Sequence, residues 1–471
     1  MNFLSRLVIP ESNEHLTLLR YLLVIVTIFF VSYTSIVVIA STFSALFEWS
    51  GRKRGIKYHS RFARDLADLA VPNRGTIFAL AVVPIVTAIL IYAQLLYGMD
   101  TGITTYLSYS AIFFFLGFYF LYGYKRSFHL DLILSAFQSF AASQSKQVQA
   151  DVVKDVESYE HSAANVREHG GRRSVVLFWI GAWIFVGTTR LAFSPERWPH
   201  SSLLTVLFSG QTFWSLLGFI VTALAITSAA IMFFFFKWEK GIAFSADNSY
   251  RDFVKKYTLP VGLVAVALEP IIIFFELQDM PQSGISNLTF ALASIGIFIS
   301  LLVLLLFYSM IKDPKVNLGS YAFLAALVFV FTWSAKDEVA FHYATRDQNQ
   351  LLEQRYETML ASLNPNTVQP VISGEDIYNG RCSACHRFDI KLVGPPYNQT
   401  LPNFVGKMDS LEDFIMNPRQ AVPGYPPMPN QGLKPAQVKA VAEYIMGVYL
   451  KSHPEKAQAQ DTLKAAGKRP A

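Results

Sequence analysis

The chain has 471 residues, 52% of them hydrophobic and only 16% charged, against about 25% charged in an average soluble domain. Its mean hydropathy is +0.32, and it carries several apolar runs longer than the ~18 residues that mark a bilayer-spanning helix. A soluble multidomain enzyme, a disordered scaffold and a disulfide-stapled secreted module are excluded, and the net charge of +6 sits mostly in loops, which speaks for membrane topology and against nucleic acid as a partner.

Eight apolar spans are predicted, at about 16–47, 75–98, 103–124, 174–195, 203–236, 257–276, 288–311 and 318–335. Backbone amides in lipid must be satisfied internally and the runs show no two-residue alternation, so the spans are read as helices. The first and fifth are longer than a bilayer requires and are expected to tilt or project. The first has no short apolar core with a small-residue cleavage site, so it is expected to stay as an anchor. The polar stretch 127–173 is expected to form an amphipathic helix or hairpin on the inside.

Loop charge sets the orientation. The loops 48–74, 125–173, 237–256 and 312–317 together hold twenty-one Lys and Arg, while the opposite set holds only Arg6 and Arg197. By the positive-inside rule, the first set is cytoplasmic and both termini are periplasmic. The expected location is a bacterial inner membrane, crossed many times.

Within the spans, candidate chemistry is sparse. None of the nine histidines lies mid-span, so no facing imidazole pair for a di-haem b core is visible. Haem b is therefore not expected; the alternative is one haem near the outer face on two of His15, His200 and His342. Glu269 lies mid-span beside Pro270 and is the candidate proton or quinol site, with a structural ion pair as its plainer reading. Arg20 and Arg190 lie near outer span ends.

The first three spans and their basic loop (Gly51-Arg52-Lys53-Arg54 onward, then Ala79 to Tyr97) resemble the start of cytochrome bd quinol oxidase subunit I. Where that family has a haem histidine in its first helix, this chain reads Leu22-Leu23-Val24-Ile25-Val26. The acidic residues of the family's third helix are replaced by Phe113-Phe114-Phe115. The resemblance implies a diverged copy without b haems of its own, not an independent oxygen reductase.

After the spans, 336–372 is expected to be a linker, charged at Lys336-Asp337-Glu338 and partly helical at 345–362. A small exported domain follows at 373–451, then a tail at 452–471 expected to be disordered. The chain's two cysteines fall in one motif, Arg381-Cys382-Ser383-Ala384-Cys385-His386. Cys-x-x-Cys-His is the attachment signature of a c-type haem: two thiols spaced for two vinyl groups, then an imidazole for the iron. A redox dithiol or half a zinc site would need partner residues that the chain lacks.

The flanks extend this. Gly374-Glu375-Asp376-Ile377-Tyr378-Asn379-Gly380-Arg381 before the motif and Lys391-Leu392-Val393-Gly394-Pro395-Pro396-Tyr397 after it resemble a class I cytochrome c. The resemblance implies that the Pro395 carbonyl accepts a hydrogen bond from His386, fixing the ligand ring. Of the downstream methionines, Met408 and Met416 border or lie on an amphipathic helical segment, where packing is the plainer role. Met428, in Gly424-Tyr425-Pro426-Pro427-Met428-Pro429, sits in a stiff loop and matches the family's placement of its axial Met. His/Met ligation leaves no open iron site and favours electron transfer. Pro435 should open the last helix, with Val438, Val441, Ala442, Ile445 and Met446 on its inner face and Tyr444 as the family's helix-crossing aromatic.

The expected fold is all-α, a membrane bundle plus a class I cytochrome c domain with one covalent haem c. The expected function is single-electron transfer on the periplasmic side within a respiratory complex. The alternative is a quinol oxidase-like enzyme whose spans feed haem c; a transporter or assembly module ranks last, for want of an internal repeat. Expected partners are other respiratory subunits, a soluble cytochrome or quinol-oxidising protein, membrane lipid and, as a further ligand, quinone.

Overall fold

In a computed structural model of the protein, residues 12–143, 150–236, 248–312, 318–363, 373–419, 424–426 and 428–453 are described. Every regular element among them is helical. The chain divides into two units, 1–356 and 357–471.

The first unit contains α1 (Asn13–Arg54), α2 (Lys57–Ala70), α3 (Arg74–Leu95), α4 (Ile103–Ser143), α5 (Ala150–Ala192), α6 (Leu203–Leu207), α7 (Gly210–Phe236), α8 (Asn248–Gln278), α9 (Asn287–Lys312), α10 (Leu318–Ala344) and the first part of α11 (Arg346–Leu363). All but α2, α6 and α11 are long and apolar enough to cross a membrane. Large apolar side chains point outward from them, among them Phe298 at 73% exposure and Leu305 at 62%. In water such a surface would be a liability; facing lipid it is the expected one.

Local chemistry sets the helix ends. Ser12 caps α1 by accepting from the His15 amide at 3.3 Å, and Gly55 ends it in the left-handed region at φ 67° with its N–H on the Gly51 carbonyl. Pro84 in α3 has no N–H to give. The turn before it widens into a π-turn over Phe78–Val82, with the Val83 amide bonded to the Phe78 carbonyl, which eases the ring into the helix. Helices α4 and α5 pack along each other, and α5 covers most of the expected inside segment 127–173.

Three expectations need adjustment. The basic loop 48–74 contains a packed helix: α2 buries Phe62, Ala63, Leu66, Ala67 and Ala70, and its Asp65 accepts from the Tyr250 hydroxyl at 2.6 Å. The fifth span is shorter than 203–236, because Leu203–Leu207 is a separate helix with its own Ser202–Thr205 capping box. Ser209 then caps α7, accepting from the Thr212 amide at 3.2 Å. The last span runs on to Ala344, so Lys336, Asp337 and Glu338 lie within a helix and not in a linker. A charged triplet does not end this helix because each charge finds an opposite one nearby. The remainder of the expected linker is helical up to Leu363; 364–372 and most of the tail lie outside the described residues.

The second unit builds its own small core. It contains the end of α11, then α12 (Gly374–Ile377), a π-turn at Tyr378–Cys382, α13 (Tyr397–Thr400), α14 (Met408–Met416) and α15 (Pro435–Ser452). Tyr378, Leu401, Leu411, Ile415, Val438, Val441, Ala442, Ile445, Met446 and Tyr449 are buried together. The crossing of α12 and α15 needs Gly374, where a side chain would run into the Ala440 carbonyl and Tyr444. Tyr378 and Tyr444 then meet with ring centroids 5.7 Å apart.

Candidate functional site

Ser373 starts α12 by accepting from the Asp376 amide at 3.2 Å. The helix widens at its end, with the Ser383 amide reaching back to the Tyr378 carbonyl at 2.8 Å. The chain then turns tightly: the amides of Cys385 and His386 both bond the Cys382 carbonyl, at 3.1 and 2.9 Å. This turn brings two thiols and one imidazole to the wall of a single cavity. Neither sulfur is in a disulfide; Cys382 is buried and Cys385 half-buried.

The imidazole is oriented from two sides. His386 Nδ1 lies 3.0 Å from the Pro395 carbonyl oxygen. A ring N–H donating there leaves Nε2 with its lone pair free for a metal. Tyr397 stacks on the same ring, centroids 5.1 Å apart and planes within 4°. Gly394 is required at this spot, because a Cβ would overlap the imidazole, and its own amide bonds the Cys385 carbonyl at 2.9 Å. Sequence reasoning missed the part played by Tyr397; its place two residues after Pro395 was the available signal.

Met428 lines the cavity together with Cys382, Cys385, His386 and Pro395, the other residues singled out in this domain. Met408 and Met416 instead pack against the core. The Met428 loop is tied down by Asn430, whose side chain donates to the Met416 carbonyl at 3.3 Å. Leu401, Phe404, Leu411, Ile415, Val441 and Ile445 complete apolar walls.

The electrostatics at Cys382 do not resemble those of a redox dithiol. Burial pushes the Cys382 thiol above its usual range, with a smaller push from Cys385 and an opposing hydrogen bond from Tyr397. A catalytic Cys-x-x-Cys instead lowers a thiol's pKa. Two unpaired thiols, an oriented imidazole and a thioether around an apolar cavity fit an iron porphyrin held by thioether bonds.

In the first unit, Glu269 is 3% exposed and accepts from the Thr222 hydroxyl at 2.8 Å. It stands apart from a larger cluster that the sequence showed only as scattered charges. Arg190 lies 3.1 Å from Asp337 and 3.5 Å from Glu276; Lys336 lies 3.0 Å from Asp337 and 3.6 Å from Glu276. The Lys336 ammonium also sits 3.4 Å from the Trp333 ring centroid. Nearby, Arg20 contacts His342 and lies 4.0 Å from Glu338. Lone opposite charges in different apolar runs were the available signal, since each needs a partner in lipid. Arg190, Asp337 and Glu338 line a cavity together with Tyr92, Phe185, Phe219, Trp333, Phe341 and Thr222.

Comparison with known proteins places the second unit. Residues 371–448 match the family described as Cytochrome c. Cytochrome c-551 of Stutzerimonas stutzeri is 31% identical over 96 residues, 19% of this chain and 92% of that protein. Cytochrome c-551 of Azotobacter vinelandii is 31% identical over 78 residues, covering 16% of this chain and 95% of the relative. Cytochrome c-552 of Hydrogenobacter thermophilus is 31% identical over 70 residues, 14% and 71% of the two chains.

Proposed function

The chain belongs, through its C-terminal domain, to the cytochrome c family, and we propose on that premise that it is a membrane-anchored electron-transfer subunit of a respiratory complex. It works on the periplasmic side of a bacterial inner membrane, with both termini there, and exchanges single electrons with a soluble cytochrome or a quinol-oxidising partner. The observation that carries this reading is the convergence of Cys382, Cys385, His386 and Met428 on one apolar cavity. The loop-charge bias supports the orientation.

A bound haem c supplies a one-electron iron couple. The chain's residues do the rest. Cys382 and Cys385 would hold the group through two thioethers, and His386 and Met428 would bind its iron. Pro395 and Tyr397 hold the imidazole in place, and the apolar walls exclude water, which favours the less charged state of an iron centre. With both side chains on the iron, the chemistry supplied would be electron transfer and not oxygen binding. Pyridine haemochrome spectra of the purified full-length protein should show one c haem per chain and no b haem. A b-type signal, or a chain mass without a porphyrin adduct, would overturn the assignment.

A second reading, a quinol oxidase-like enzyme, is favoured by the cavity among the spans and by the likeness of the first three to cytochrome bd quinol oxidase subunit I. A cavity lined by aromatic side chains, two carboxylates and a guanidinium suits a hydroquinone head, neutral and bearing two hydroxyls. Asp337 and Glu338 face it directly, so they replace Glu269 as the first proton acceptors, with Glu269 behind Thr222. Quinol-dependent reduction of the purified protein, lost in Glu338→Gln, would establish this reading; no reduction by any quinol would leave the first one standing.

A further inference from the structure

The side of the bundle that carries the basic loops has a groove of about 1010 Å³ between α3, α4 and α5. Three arginines from three helices face it: Arg74 at the start of α3, Arg126 on α4 and Arg173 on α5. His169, one turn from Arg173, lies on the same rim.

These arginines differ from their neighbours. Arg52 pairs with Glu48 and Glu168, Arg167 with Glu48 and Asp131, and Arg172 with Glu168. Arg74, Arg126 and Arg173 have no carboxylate partner among the described residues. Two of them are held by rings instead: Arg74 lies 4.7 Å from the Tyr122 centroid and Arg173 5.7 Å from that of Phe120. A ring positions a guanidinium without neutralising it, so the charge stays available to an anion.

The rest of the groove is apolar. Phe78, Val82, Phe115 and Tyr119 line it, and Phe78 and Tyr119 are 61% and 74% exposed. On helices that cross lipid, this wall continues toward the hydrocarbon, while the arginines sit just beyond the apolar runs 75–98, 103–124 and 174–195. Free phosphate would use the guanidiniums but gain nothing from the wall. A zwitterionic lipid would bring its own cation against three others.

We propose that this groove binds an anionic phospholipid, its phosphate on Arg74, Arg126 and Arg173 and its acyl chains along the aromatic wall. Juxtamembrane basic residues attract anionic headgroups by roughly fivefold each near a surface, and here three converge on one site.

The test uses the full-length protein in detergent, delipidated and then titrated with phosphatidylglycerol or phosphatidylcholine, with bound lipid counted by native mass spectrometry. Phosphatidylglycerol should bind and phosphatidylcholine should not compete. The triple substitution Arg74→Gln, Arg126→Gln, Arg173→Gln should weaken binding on the order of 100-fold. A matched triple substitution outside the groove, Lys53→Gln, Arg54→Gln, Lys57→Gln, should leave it within twofold. Ala substitution of Phe115 and Tyr119 should weaken the lipid but not inorganic phosphate. Equal binding of both lipids, equal loss in both triple variants, or displacement of the lipid by millimolar inorganic phosphate would each overturn the proposal. Helical circular dichroism and a single size-exclusion peak in detergent check that the bundle of each variant has folded.

Discussion

At the scale of single residues, the cytochrome site turns on two side chains and one missing Cβ. If Met428 is the sixth ligand, Met428→Ala should lower the midpoint potential by more than ~59 mV, the one-electron equivalent of a tenfold change in equilibrium. Redox titration would measure it. Met416→Ala, which removes a core contact, should leave the potential alone and cost about 1–2 kcal/mol of stability, since the side chain is only partly buried. If both variants shift the potential equally, the ligand lies elsewhere. Gly394→Ala forces a methyl group into the His386 ring. It should displace the imidazole and lower the yield of haem-bearing protein severalfold, whereas Gly380→Ala, with open space around it, should not. Haem staining against total protein would separate the two.

At the scale of elements, the membrane helices are tied by charges that only work in company. Lys336 is wholly buried between Glu276 and Asp337. Lys336→Met should destabilise the bundle by about 3–5 kcal/mol, the usual penalty for leaving a buried partner unpaired. Adding Glu276→Gln should recover part of that loss, because the orphaned carboxylate is then gone. Thermal unfolding in detergent would show the recovery; strict additivity would mean the pair does not interact. These elements also mark how far the sequence could be read. The eight spans and the Cys382–His386 turn were legible because lipid imposes a length and haem attachment imposes a spacing. The burial of Lys336-Asp337-Glu338 was not. A charged triplet after an apolar run reads as a helix end, and only the fold shows Arg190 and Glu276 waiting opposite. The role of α2 was hidden likewise. Its apolar and small side chains fall within a strongly basic stretch, where charge masks the helical periodicity. Glu269 is buried and accepts from Thr222, a partner that its mid-span position in the sequence did not reveal.

At the scale of the whole molecule, eight helices among the described residues are long and apolar enough to cross a membrane, and if all eight do, the segments before α1 and after α10 lie on the same side. Alkaline phosphatase inserted after Asp100 or His200 should be active, and inserted after Asn73 it should be inactive, if the basic loops face the cytoplasm. The reverse pattern would move the cytochrome domain to the cytosol and sink the proposed periplasmic role.

The ion network also has a consequence for how the protein is made. Helices enter a bilayer in the order they are synthesised, and Arg190, Glu276 and the Lys336–Asp337 pair arrive on three different ones, α5, α8 and α10. Until the last of these emerges, Arg190 and Glu276 have only each other, and the four-charge network is incomplete. Completion of the bundle therefore coincides with translation of α10, the final span before the cytochrome domain.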